Sequence, residues 1–205
     1  MGAFYTVAAL AFYRWSMTRT SRDAVWALLL ASSCALIKTP GIVWALTLVP
    51  GAIIVLLPRH GTKIVVALFA VAAVALVALA KFEVIALGYR LQLDFQPAWY
   101  SLFATYFLFG NWNLLWYMVI VLFALGWRSQ RGPKLVPLTA VVAAAFGFLF
   151  LVFAFTNAAA WVADFTTVNR ATLHFAPLLL TFCVLLWNEI LHTPTRPAPI
   201  AAPVG

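Results

Sequence analysis

Long apolar runs separated by short basic turns constrain this chain more than any other feature. Several of these runs are long enough to cross the roughly 30 Å hydrocarbon core of a bilayer as a helix. A helix satisfies its own backbone hydrogen bonds, and this is necessary because hydrocarbon offers no hydrogen-bonding groups. Hydrophobic residues make up 65% of the sequence and charged residues 9%, whereas about a quarter of the residues of a soluble domain are charged. The sequence therefore predicts an integral membrane protein.

We expect an all-α, polytopic transmembrane helical bundle over residues 1–192, followed by a Pro- and Ala-rich disordered tail over 193–205. Hydropathy predicts about seven spans, at residues 2–16, 24–38, 41–58, 64–80, 112–127, 135–155 and 174–192. The segment Lys81–Asn111 is less apolar and rich in Trp and Tyr, which favour the membrane interface. It is predicted to be an amphipathic or re-entrant element on the outer surface.

The basic residues predict the orientation of the bundle. Nine of the 13 Lys and Arg residues fall on one side of these spans: Arg14, Arg19, Arg22, Arg59, Lys63, Arg128, Arg131, Lys134 and Arg196. The other four, on the opposite side, are Lys38, Lys81, Arg90 and Arg170. Because cytoplasmic loops carry the excess of Lys and Arg, the amino terminus is expected outside and the carboxyl tail in the cytoplasm.

Several kinds of function are disfavoured by the same distribution. The net charge of +8 is spread over short turns and forms no stripe that could follow a nucleic acid backbone. Cys34 and Cys183 lie far apart within apolar runs, so neither a disulfide framework nor a metal site is indicated. No cofactor is predicted. A transporter is disfavoured because charges fall near span ends rather than at mid-membrane.

The stretch Asn169–Pro177 places a cation and a histidine where an outer loop meets the last span. Arg170 and His174 are four residues apart and share a face if this helix begins a turn early. A guanidinium fork suits phosphate, and an imidazole beside it can donate a hydrogen bond or move a proton. Free N–H groups at the helix start, near Pro177, would add to an anion site. The alternative is that Arg170 reaches lipid headgroups and His174 only caps the interface.

Two further residues complete the candidate site. Lys38 ends the second span before the Lys38–Gly41 turn, and it is either a second phosphate ligand or a headgroup anchor. Asp164 is a candidate catalytic carboxylate, and an ion pair with Arg170 is the alternative. We otherwise leave the catalytic residue unassigned.

The runs Ala35–Val43 and Asn169–Pro177 resemble segments of the polytopic GT-C glycosyltransferases, which use polyprenyl-phosphate sugars. In that family the lysine turn usually carries an acidic residue, where Thr39 and Pro40 stand in this chain. The resemblance implies lipid-phosphate binding by Arg170, His174 and Lys38 at the extracytoplasmic face, in a bacterial inner membrane. It implies a polyprenyl-phosphate lipid or lipid-linked sugar as partner, besides membrane lipids, and no nucleic acid.

The resemblance covers the middle and late parts of such an enzyme. Family members carry their catalytic carboxylate in a large first outer loop, which has no counterpart before Gly2. The sequence is thus expected to be either a fragment or separate half of a glycosyltransferase, or a degenerate relative. The alternative is a non-catalytic membrane subunit that packs against another membrane polypeptide through small residues of the fourth and sixth spans.

Overall fold

The computed structural model describes residues 1–79, 83–86, 89–92, 98–109, 112–162 and 166–192, and most of them are helical. The α-helices are α1 (Gly2–Thr18), α2 (Ser21–Ile37), α3 (Gly41–Leu46), α4 (Leu48–Leu56), α5 (Gly61–Leu79), α6 (Trp99–Phe103), α7 (Asn113–Leu125), α8 (Val136–Phe155) and α9 (Thr166–His192). A π-helical segment, Ala104–Leu108, continues α6, and 3₁₀ turns cover Ser129–Arg131 and Asn157–Trp161. The predicted tail over 193–205 lies outside the described residues.

The described ranges also include a short hairpin. Strand β1 (Glu83–Ala86) pairs antiparallel with β2 (Tyr89–Gln92), so that Glu83 faces Gln92 and Ala86 faces Tyr89. Both strands belong to the segment predicted as an amphipathic or re-entrant element.

The predicted third span is broken into α3 and α4 at Thr47. Pro50 has no backbone N–H, and its ring clashes with the carbonyl of the residue four positions earlier, which is Leu46. Helix α3 ends at this residue. The Thr47 hydroxyl donates to the Trp44 carbonyl at 2.6 Å and shares a second 2.6 Å hydrogen bond with the Tyr5 hydroxyl. A proline thus breaks the helix, and a buried hydroxyl pair fixes the break against α1.

Helices α1, α8 and α9 form the centre of the bundle. Gly2 brings α1 close to α9, because a Cβ built there would lie 3.0 Å from the Leu173 carbonyl oxygen and 3.1 Å from the His174 Cα. That carbonyl lacks its usual helical donor, since Pro177 has no N–H. Trp44 packs between Tyr5, Phe148 and Phe175, with ring centroids 5.2, 5.4 and 6.2 Å away. These aromatic contacts join α1, α3, α8 and α9 in one core.

The helical class of the fold is confirmed, but the number of spans is not. Two helices, Val136–Phe155 and Thr167–His192, are long and apolar enough to cross a membrane. Trp99–Leu108 and Asn113–Leu125 meet the same criterion together but are bent by 91°. Gly41–Leu56 and Gly61–Leu76 are apolar but shorter. Leu36 and Leu114 expose 88% and 79% of their surface, which favours an apolar surround.

Gly51 provides a test of the packing between α4 and α8. A Cβ there would lie 2.7 Å from the Pro137 carbonyl oxygen and 2.8 Å from Phe12 Cζ and Val141 Cγ2. Since backbone cannot move aside as a side chain can, Gly51→Ala should destabilise the protein by about 1–3 kcal/mol. Gly147→Ala on α8 is the matched control, because a Cβ there meets nothing within 4 Å. Unfolding in detergent should show a lower midpoint for the first variant only, and equal midpoints would contradict this packing.

Candidate functional site

Helix α9 brings Arg170 and His174 onto one face. It begins at Thr166, about two turns before the predicted start at residue 174, so both residues lie one turn apart within regular helix. Arg170 is exposed and His174 is partly buried. The early start changes one expectation: Pro177 lies in the helix interior, so the free N–H groups of the first turn are not beside His174.

Lys38 is the third residue predicted for this site. It follows the last turn of α2 in extended conformation, with φ −158° and ψ 142°, and its side chain is exposed. The charge of the amino terminus and, more weakly, that of Lys38 act on the His174 imidazole. The turn after Lys38 is held by a 2.7 Å hydrogen bond from the Gly41 N–H to the Lys38 carbonyl. Lys38 is therefore within electrostatic range of His174, and Arg170 is one turn from His174 along α9.

The apolar surface next to this cationic group is also exposed. Leu173, Pro177 and Leu180 follow Arg170 at helical spacing and lie on its side of α9. Among the described residues, no hydrogen bond or ion pair occupies the Arg170 guanidinium. We refer to Lys38, Arg170 and His174, with the exposed stripe Leu173, Pro177 and Leu180, as the α9 cationic face.

No carboxylate among the side chains that the structure describes lies beside the α9 cationic face. Asp23 and Glu189 are at the other end of the bundle, where Arg14 Nε lies 3.7 Å from Asp23 and Lys134 Nζ lies 3.3 Å from Glu189. Asp164, the candidate catalytic residue and possible partner of Arg170, lies outside the described residues. Its two predicted roles therefore stay predictions.

An aromatic cavity of about 350 Å³ lies on the opposite side of α9. Its walls come from α6 and the π-helical segment, from Trp116 of α7, and from the second half of α8: Trp99, Leu102, Phe103, Tyr106, Phe107, Trp116, Phe146, Leu149, Phe150 and Phe153. Thr172 of α9 lies beside Tyr106. Because two residues turn a helix by about 200°, Arg170 points away from this cavity. The cavity and the cationic face are separate features.

Two buried polar atoms near the aromatic cavity have no hydrogen-bond partner in the described structure, Trp116 Nε1 and Thr172 Oγ1. Tyr106 lies beside Thr172, but the contact does not have the geometry of a hydrogen bond. Such atoms normally find partners when buried.

The aromatic cavity was not predicted from the sequence, although part of its signal was visible. Tyr106 belongs to the aromatic-rich segment that was interpreted as interfacial, and Trp116 follows shortly after it. Their ring centroids lie 4.8 Å apart across the bend between α6 and α7. Thr172 could not be identified from the sequence, because an isolated threonine in an apolar helix normally forms a hydrogen bond with its own backbone.

No group of three or more His, Cys, Asp or Glu residues that could hold a metal occurs in the part of the chain that the structure describes. No protein-family model matches the chain, and comparisons with curated proteins and with solved structures give no match.

Thr172→Val tests whether the buried hydroxyl is unpaired. Valine has nearly the same shape, so removal of an unpaired buried hydroxyl should raise the free energy of unfolding by about 1 kcal/mol. Thr181→Val is the control, because the Thr181 hydroxyl donates to the Pro177 carbonyl at 2.8 Å and its loss should not stabilise the protein. Detergent unfolding measures both variants. A destabilised Thr172→Val variant would show that this hydroxyl is bonded.

Proposed function

We propose that this chain is the lipid-binding part of a membrane glycosyltransferase of the GT-C type, which holds a polyprenyl-phosphate-linked sugar at the extracytoplasmic face. The α9 cationic face is the observation that carries the proposal. It combines an arginine, a histidine and a lysine with an exposed apolar stripe, as an anionic lipid requires. The phosphate would lie between the three cationic or hydrogen-bonding groups, and the isoprenoid chain would follow Leu173, Pro177 and Leu180.

The proposal includes about seven membrane crossings with the amino terminus outside. This topology is supported by the way in which charged residues are distributed between the two ends of the bundle. The charges of Lys134 and Glu189 act on the hydroxyl of Tyr13, near the end of α1, so this end gathers the termini of α1 and α9 and the start of α8. The α9 cationic face is at the other end. That arrangement agrees with alternate crossings and with the positive-inside rule.

The chemistry of transfer gives the cationic face a role. When the bond between sugar and lipid phosphate breaks, negative charge grows on the phosphate that leaves. A guanidinium binds phosphate oxygens through two parallel hydrogen bonds, and fixed cations stabilise charge that develops in a transition state. Arg170 would supply the fork and Lys38 a point charge, while His174 donates a hydrogen bond. The carboxylate needed to activate an acceptor would come from residues outside the described ranges or from another polypeptide.

Arg170→Ala should lower the affinity for a polyprenyl-phosphate sugar by about tenfold or more, because a charge-assisted pair of hydrogen bonds is lost. Arg59→Ala removes the same charge from a turn at the other end and serves as the control. Binding to the purified chain can be measured by fluorescence quenching or by native mass spectrometry.

Equal affinity of the wild type and Arg170→Ala would remove the proposed role of this residue. If phosphatidylglycerol competed as well as the polyprenyl phosphate does, the headgroup-anchor interpretation of Arg170 and Lys38 would be favoured instead.

The second candidate function is a non-catalytic membrane subunit. Two observations favour it: the described carboxylate side chains are both away from the α9 cationic face, and α8 exposes Ala143 and Gly147 one turn apart. Small residues at this spacing permit close approach of a second helix. This function predicts that Gly147→Leu releases a partner that copurifies with the wild type. A stable wild-type monomer with no partner would count against it.

A further inference from the structure

A second exposed feature lies toward the opposite end of the bundle from the α9 cationic face. It is a groove of about 730 Å³ between α1 and α2. Its apolar part is formed by the side chains of Val7, Leu10, Ala11, Trp26 and Leu30. Val7 and Trp26 are about half exposed, so the groove opens sideways, away from the core. We call it the α1–α2 groove.

The polar end of the α1–α2 groove carries Arg14, Arg22 and Asp23. Asp23 stabilises the turn between α1 and α2, because its Oδ2 accepts hydrogen bonds from the hydroxyls of Thr18 and Thr20 at 3.1 and 3.0 Å. It is buried, with 12% of its side chain exposed. The turn is tight, and Arg19 adopts a left-handed conformation with φ 57°. The carboxylate thus fixes the turn at the polar end of the groove.

The two arginines at this end remain available. Arg14 Nε lies 3.7 Å from Asp23, but 72% of the Arg14 side chain is exposed. Arg22 has no hydrogen bond or ion pair within the described part of the chain. One carboxylate against two guanidinium groups leaves a net positive charge. The α1–α2 groove is therefore apolar along its length and ends in two guanidinium groups with several hydrogen-bond donors each. This combination is complementary to a diacyl lipid with an anionic headgroup.

We propose that the α1–α2 groove binds one anionic phospholipid, with an acyl chain along Leu10, Ala11 and Leu30 and the phosphate between Arg14 and Arg22. By the proposed topology the site belongs to the cytoplasmic leaflet. It is independent of sugar-lipid binding at the α9 cationic face. Its ligand is a structural lipid and not a substrate.

The test is native mass spectrometry of the purified full chain, titrated with phosphatidylglycerol or with phosphatidylcholine of the same acyl chains. We expect the wild type to retain one phosphatidylglycerol in preference to phosphatidylcholine. The double variant Arg14→Gln and Arg22→Gln should lose about tenfold in affinity for phosphatidylglycerol. The control is Arg59→Gln with Lys63→Gln, which makes the same charge change in the turn between α4 and α5 and should keep the preference.

A second variant tests the apolar part without any change of charge. Ala11→Phe should fill the groove and displace the lipid, whereas Ala124→Phe, at an exposed position of α7, should not. Equal binding of the two lipids by the wild type would overturn the proposal, as would equal losses in both charge variants. Polyprenyl-phosphate binding by the same preparations should be unchanged in the groove variants. The test therefore distinguishes a failure of the phospholipid proposal from a failure of the proposed sugar-lipid binding.

Discussion

Backbone hydrogen bonding in an apolar surround is the constraint on which this structure depends. A helix pairs its own amides and carbonyls, and where a helix is interrupted a Ser or Thr side chain can replace the lost hydrogen bond. Thr47 does this at the break between α3 and α4, where its hydroxyl bonds to Trp44 and Tyr5. Thr156 does it at the end of α8, where its hydroxyl donates to the Val152 carbonyl at 2.6 Å and accepts from the Ala158 N–H at 3.1 Å.

The sequence predicted the helices well where hydropathy changes sharply. The predicted span 135–155 matches α8, and 112–127 contains α7. The predicted helix ends were wrong where the end of a helix does not coincide with a change in hydropathy. The polar stretch Thr166–Arg170 is helical because α9 continues beyond its apolar part. Pro50 was a signal for the break at Thr47, but the partner that stabilises the break, Tyr5, is distant in sequence and could not be inferred.

The candidate site was predicted in part for the same reason. A spacing of four residues and a helical context placed Arg170 and His174 on one face, since both are local properties. The proximity of Lys38 depends on how α2 lies relative to α9, which hydropathy does not specify. The aromatic cavity and the α1–α2 groove depend on packing between helices, and neither was predicted. The described carboxylate side chains, Asp23 and Glu189, each lie within ion-pair distance of a cation at one end of the bundle, and the α9 cationic face lies away from both.

Photo-crosslinking with a polyprenyl phosphate that carries a diazirine near the phosphate tests the central claim most directly. Mass spectrometry of the digested protein would locate the adducts. Binding at the α9 cationic face predicts adducts on Leu173, Pro177 and the residues beside Lys38, with loss of these adducts in Arg170→Ala. Adducts confined to the aromatic cavity, or spread evenly over the exposed helices and unchanged in Arg170→Ala, would contradict the account.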